Sequence, residues 1–202
     1  MEGSIIRKNI YSHLIGGCTR IYNDALVNIP KNASTLIVNW SHEQTDPNII
    51  SEANYLDFEV DKYYVLIRDP FDRWISGVTE YYYRQNKQNK VEIKDLFDRI
   101  DMIEFDEHTA PQYQFLNFDY TKNTVFVPMN KKGIHYLNKK FLKYPHHPKK
   151  VWESASIDTK VRIQRLLLEK VQKQPSLKDK VMIFYKQDYK IIENYFPHIG
   201  LP

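Results

Sequence analysis

The run KYYVLIRDP (62–70) limits the possible folds more than any other stretch of this chain. It is continuous, β-branched and aromatic, and Asp69-Pro70 stops it. A strand without apolar–polar alternation is buried on both faces, as in a parallel sheet covered by helices. Immediately after it, Phe71, Trp74, Ile75, Val78 and Tyr82 recur at helical spacing, with Pro70 suited to the first turn. A buried strand feeding an amphipathic helix is a unit of α/β layer folds.

The rest of the chain follows the same alternation. Ala25–Ile29 reads as a short buried strand that Pro30 ends, and Ser34–Trp40 as the start of a helix with Asn32 or Ser34 as its cap. Residues 47–54, 124–127 and 181–185 read as further strands. Residues 93–103, 111–117, 158–173 and 188–196 read as helices. The expected architecture is one domain over 1–202, with 1–24 as an N-terminal extension and 25–196 as the core. It is an α/β, three-layer fold whose central, mainly parallel sheet is flanked by helices.

Composition narrows the function classes. The 29 basic and 25 acidic residues leave a net charge of +4, a mild lean towards anionic ligands without the clustered basic face of a nucleic-acid binder. Cys18 is the single cysteine, so no intrachain disulfide forms and a reducing compartment is expected. No stretch approaches the roughly 18 apolar residues of a membrane span, and the N-terminus lacks a signal-like apolar core. The expectation is a soluble, cytoplasmic protein with no membrane span. The seven histidines show no zinc-like spacing, so no metal is expected.

In an open α/β sheet, ligands sit at the carboxyl ends of the strands. Lys31 to Thr35 fall at such an end, between the first strand and its helix. Backbone N–H groups, the positive end of the helix dipole, a lysine and two hydroxyls would converge there on an anion. The ATP-type loop G-x-x-x-x-G-K-[ST] is absent, and no glycine occurs in 24–40. A second strand exit places Arg68 at the same edge, with Ser76 eight residues later in the following helix. Its guanidinium is a planar fork suited to phosphate. Two such exits imply a ligand with two separate anionic groups.

IPKNAST (29–35) resembles the 5′-phosphosulfate loop of sulfotransferases that use 3′-phosphoadenosine 5′-phosphosulfate (PAPS). RDPFDRWISGVTEYY (68–82) is similar to their 3′-phosphate motif, and DEHTAPQ (106–112) to the D-x-H-x-x-PQ element of Golgi-type carbohydrate sulfotransferases. VMIFYKQDY (181–189) is similar to the family's closing strand, and the whole resemblance spans roughly residues 25–196. It implies a P-loop-like fold and transfer of a sulfuryl group from PAPS to an acceptor hydroxyl of a carbohydrate, leaving the product PAP. Golgi members carry an anchor and disulfides, so the resemblance here implies a soluble microbial or viral member.

Carried over by position, Lys31 contacts the bridging and 5′-phosphate oxygens, Asn32 and Ala33 supply N–H groups, and Ser34 and Thr35 supply hydroxyls. Arg68 and Ser76 hold the 3′-phosphate. Ala33 replaces a glycine common in cytosolic members, which is tolerable if its φ is negative. Sulfuryl transfer resembles phosphoryl transfer in placing charge on the leaving oxygen, and Lys31 is placed to stabilise it.

The acceptor also needs a general base, for which there are three candidates. Glu52 follows NII at the end of the second expected strand, and resembles in its distance after the loop lysine a base glutamate of heparan-type members. His108 lies in the D-x-H-x-x-PQ match and has a suitable ordinary pKa. His42 is the weakest, because seven residues of helix carry it roughly 10 Å from the loop. Arg73 is expected to brace the loop by pairing Asp69 or Asp72. Asp106 and Gln112 are expected to orient His108 or bind acceptor hydroxyls. The basic, proline-rich segment 144–154 reads as either a flap or an exposed loop. Two other classes stay open. A P-loop nucleotide or small-molecule kinase would need ATP and Mg²⁺, and a single-stranded nucleic-acid module would bind oligonucleotides by aromatic stacking.

Overall fold

The computed structural model describes residues 17–54, 59–87, 103–116, 119–142 and 154–196. Two strands, β1 (Gly17–Ile21) and β2 (Asp24–Val27), form an antiparallel hairpin that turns at Tyr22, whose φ is 55°. Strand β3 (Ile49–Asn54) pairs antiparallel with the outer side of β1. Strand β4 (Lys62–Ile67) pairs parallel with β2, and β5 (Thr124–Pro128) parallel with β4. The five-stranded order is β3-β1-β2-β4-β5. The sheet is therefore mixed: β2, β3, β4 and β5 point one way and β1 runs against them. It also reaches back to Gly17, ahead of the core boundary expected at residue 25.

The helices are α1 (Ser34–His42), α2 (Pro70–Lys87), a 3₁₀ turn at Gln112–Phe115, α3 (Lys131–Leu137), α4 (Ser154–Lys173), α5 (Pro175–Phe184) and α6 (Lys186–Tyr195). A π-helical turn, Asn138–Leu142, continues α3. Alternation along β2 and β4 divides the core. Ala25, Val27, Val65 and Ile67 pack with Phe115, Ile191 and Ile192, while Leu26, Tyr64 and Leu66 pack with Ile37, Trp40 and Leu137. Helices thus cover both faces of the sheet, and β4, buried through its apolar run, lies between two parallel neighbours as its composition requires. A third core joins α2, α4 and α5 through Trp74, Val78, Tyr82, Ile163, Leu167 and Val181.

The strand expected at 181–185 is instead the end of α5 and its cap. Leu177, Val181 and Tyr185 are buried at four-residue spacing against α2 and α4, so the helical period prevails over a short apolar run. The likeness to a closing strand fails with it. The helix expected at 111–117 is only the 3₁₀ turn, and the one expected at 93–103 lies outside the described residues apart from Ile103. Segment 144–154 also lies outside them apart from Ser154. Among the described residues, no helix is long and apolar enough to cross a membrane.

Helix α2 touches the 106–110 loop at Gly77. A Cβ there would lie 2.3 Å from the His108 carbonyl oxygen and 2.8 Å from its carbon. Backbone cannot yield as a side-chain tip can, so Gly77→Ala is expected to cost about 1–3 kcal/mol. Urea unfolding measures it, and an unchanged midpoint would contradict this packing.

Candidate anion-binding site

Strands β2 and β4 are parallel neighbours, so the loops leaving them lie side by side at the sheet's carboxyl edge. The β2 exit holds Lys31, Asn32 and Ala33, and α1 begins at Ser34. The first amides of any helix lack intrahelical partners, and Ser34 and Thr35 contribute two of them here. The β4 exit holds Arg68, whose Nη1 donates to the Lys31 carbonyl at 3.3 Å. The two exits thus meet, and Ser76 lies on α2 six residues beyond Pro70, about 9 Å along the helix axis.

The loop is a strained turn. Lys31 has φ 67° and Ala33 has φ 61°, both in the left-handed region. The negative φ under which alanine would be readily tolerated at position 33 is not found. A non-glycine residue there costs about 1–2 kcal/mol, which the Ala33 methyl offsets in part by packing against the core under α1. The amide of Asn32, expected to face an anion, donates to the Ile29 carbonyl at 3.0 Å and closes the turn.

The Asn32 side chain also points inward. Its Nδ2 donates to the Leu66 carbonyl at 2.8 Å and to Gln112 Oε1 at 2.5 Å. Gln112 in turn clasps the Arg68 backbone: its Nε2 donates to the Arg68 carbonyl at 2.9 Å, and its Oε1 accepts from the Arg68 amide at 3.0 Å. Gln112 is therefore a buried tie between the two exits, where an acceptor-binding or His108-orienting role was expected. Asp188 of α6 holds this tie by accepting from the amides of Gln112 at 2.7 Å and Tyr113 at 2.9 Å. Burial pushes the Asp188 carboxyl up from its ordinary value, against the pull of those two amides.

Arg73, fully buried, is the other brace. Its Nε donates to the Pro30 carbonyl at 3.1 Å, its Nη2 to Glu107 at 3.3 Å, and its Nη1 to Ala110. It braces the loop as expected, but through these carbonyls and not through Asp69 or Asp72.

The residue that sequence reasoning missed is Glu80. Its Oε2 accepts from Lys31 Nζ at 3.2 Å and from Lys160 Nζ, on α4, at 2.8 Å. Its Oε1 accepts from Arg84 Nε at 3.1 Å. Burial pushes the Glu80 carboxyl up, but the Lys160 hydrogen bond and the charges of Lys31 and Lys160 outweigh it and bring the carboxyl to about 2. Burial pulls Lys31 below the ordinary lysine value in spite of Glu80. The signal for Glu80 was its place one turn after Ser76 and one turn before Arg84. Lys160 had no local signal.

Arg84 carries the line on to His108, with Nη2 3.2 Å from His108 Nε2. His108 Nδ1 lies 3.1 Å from Asp106 Oδ2 and 3.3 Å from Glu107 Oε1. With Nδ1–H donated to Asp106, the Nε2 lone pair is the acceptor for Arg84 Nη2. Asp106, Glu107 and His108 bring ligand-type atoms within 4.8 Å of one another. The Arg84 guanidinium on the remaining ring nitrogen opposes a second cation there.

The other two base candidates stand apart. Glu52 lies on β3, separated from β2 by β1, or about 10 Å across two strand spacings. His42 ends α1, exposed, with its Nε2 3.3 Å from Ser51 Oγ. The structure therefore gathers Lys31, Asn32, Ala33, Arg68 and, through Glu80 and Arg84, His108. Comparison with known proteins finds no match among family models, curated proteins or solved structures.

The low Glu80 value has a sign that can be checked. A carboxyl depressed from 4.5 to about 2 stabilises the fold above the upper value, and that stability is lost as pH falls through the lower one. Wild type is expected to lose stability relative to Glu80→Gln as pH drops from 4.5 towards 2. Parallel acid unfolding curves for the two proteins would contradict the ion cluster.

Proposed function

We propose that this chain is a PAPS-dependent sulfotransferase of P-loop-like architecture, transferring a sulfuryl group to an acceptor hydroxyl, most simply of a saccharide. The observation that carries the reading is the meeting of two cationic strand exits on adjacent parallel strands, with Arg68 Nη1 3.3 Å from the Lys31 carbonyl. A kinase-type P-loop has no counterpart to that second exit in this reading, and PAPS has a separate 3′-phosphate to fill it.

The residues divide the work as follows. The PAPS phosphosulfate supplies an activated sulfuryl group with a phosphate leaving group. Lys31 stabilises charge on the leaving oxygen, which removal of one oxyanion donor weakens by about 10²–10³ in rate. The opening amides of α1, at Ser34 and Thr35, hold the 5′ end. Arg68 and Ser76 hold the 3′-phosphate. His108 takes the acceptor proton at Nε2, with Asp106 fixing the tautomer. Arg84 holds Nε2 in the ligand-free arrangement and must release it for that step.

Titration calorimetry with PAP tests the reading. PAP is expected to bind without added metal, and removing its 3′-phosphate to weaken binding by about tenfold or more, the worth of one charge-assisted contact. Equal affinity for the two nucleotides would remove the roles of Arg68 and Ser76, and full transfer activity in Lys31→Ala would remove that of Lys31.

A further inference from the structure

We propose that Lys160 is a second lysine of the oxyanion site, and that Glu80 Oε2 stands where an oxygen of the bound ligand goes. Lys31 and Lys160 come from opposite ends of the chain yet donate to the same oxygen atom, at 3.2 and 2.8 Å. Their side chains are only 18% and 20% exposed, and that of Glu80 is 12% exposed. Two ammoniums drawn to one point and partly withdrawn from water repel one another unless an anion lies between them. In the ligand-free protein Glu80 is that anion.

The surroundings suit exchange. The Lys160 ammonium also lies over the Tyr83 ring, 4.6 Å from its centroid, a cation–π contact that does not depend on Glu80. Arg84 grips the other carboxylate oxygen at 3.1 Å from one turn along α2. When the lysines turn to a ligand, Arg84 still pairs Glu80, so the carboxylate is not left buried and alone. A phosphate or sulfonate oxygen has the charge and the lone pairs to accept from both ammoniums as Oε2 does. The identification of that oxyanion with the phosphosulfate group rests on the sulfotransferase reading; the two-lysine site itself does not.

The test is calorimetric titration of wild type, Lys160→Ala and Glu80→Gln with two probes, PAP and inorganic pyrophosphate, after urea unfolding has established that each variant is folded. Lys160→Ala is expected to bind both probes about tenfold more weakly, the factor for one charge-assisted hydrogen bond. Glu80→Gln, which removes the competing carboxylate and nearly keeps its shape, is expected to bind both several-fold more tightly. Should Lys160→Ala not fold, the Glu80→Gln result decides. Wild-type affinity in Lys160→Ala, or weaker binding in Glu80→Gln, overturns the proposal. If PAP binds tightly and Lys160→Ala makes no difference, the sulfotransferase reading stands and the second lysine falls. If pyrophosphate binds through Lys160 and PAP does no better, the site stands and the sulfotransferase reading falls. If neither probe binds wild type, both fall.

Discussion

A buried guanidinium holds this site together. Arg73 is a full positive charge without solvent contact, and desolvating such a group is tolerable only if its donors are matched. Three carbonyls match them, one from the β2 exit and two from the 106–110 loop. Removing any one segment would leave a cation in the core with an unmet donor, which costs more than the bond itself contributes. Arg73 therefore couples the position of the Lys31 loop to that of the loop carrying His108. Gln112 applies the same logic with a neutral group, binding the Arg68 backbone as a neighbouring strand would.

Much of this was legible in the sequence, and the division follows the range of the forces. The β2 loop, α1, β4 and α2 were readable because apolar period and proline punctuation are local signals. The meeting of Lys31 and Arg68 followed from parallel order alone. The end of α5 was misread because four apolar residues in a row satisfy both periods, and only packing against α2 and α4 decides between them. The left-handed Ala33 was invisible, since no glycine announced it. Glu80 and Gln112 were hidden for a different reason: their partners lie 49 and 44 residues away. The inward turn of Asn32 had the same cause, because a strand exit can be read from sequence but the direction of one side chain depends on what is packed beneath it.

The electrostatic character of the site follows from alternating signs. Lys31, Glu80, Arg84, His108 and Asp106 form a line in which acid, base and imidazole are neighbours. The Arg84 link is half exposed and contributes little to stability, while the lysine contacts with Glu80 lie deeper and contribute more. A ligand anion arriving at Lys31 would thus meet the strong end of the line, and its effect would reach His108 through the weak one.

Helix α2 is the member on which that line is laid out. Ser76, Glu80 and Arg84 occupy successive turns of one face, and Gly77 presses that face against the His108 loop. Each residue of helix advances about 1.5 Å and rotates about 100°. A single inserted or deleted residue between Arg73 and Glu80 would turn everything beyond it by about 100°, the buried Tyr82 included. It would swing the carboxylate away from both lysines. The helix is in this sense a ruler, and its length between those two residues is as much a part of the site as the residues themselves.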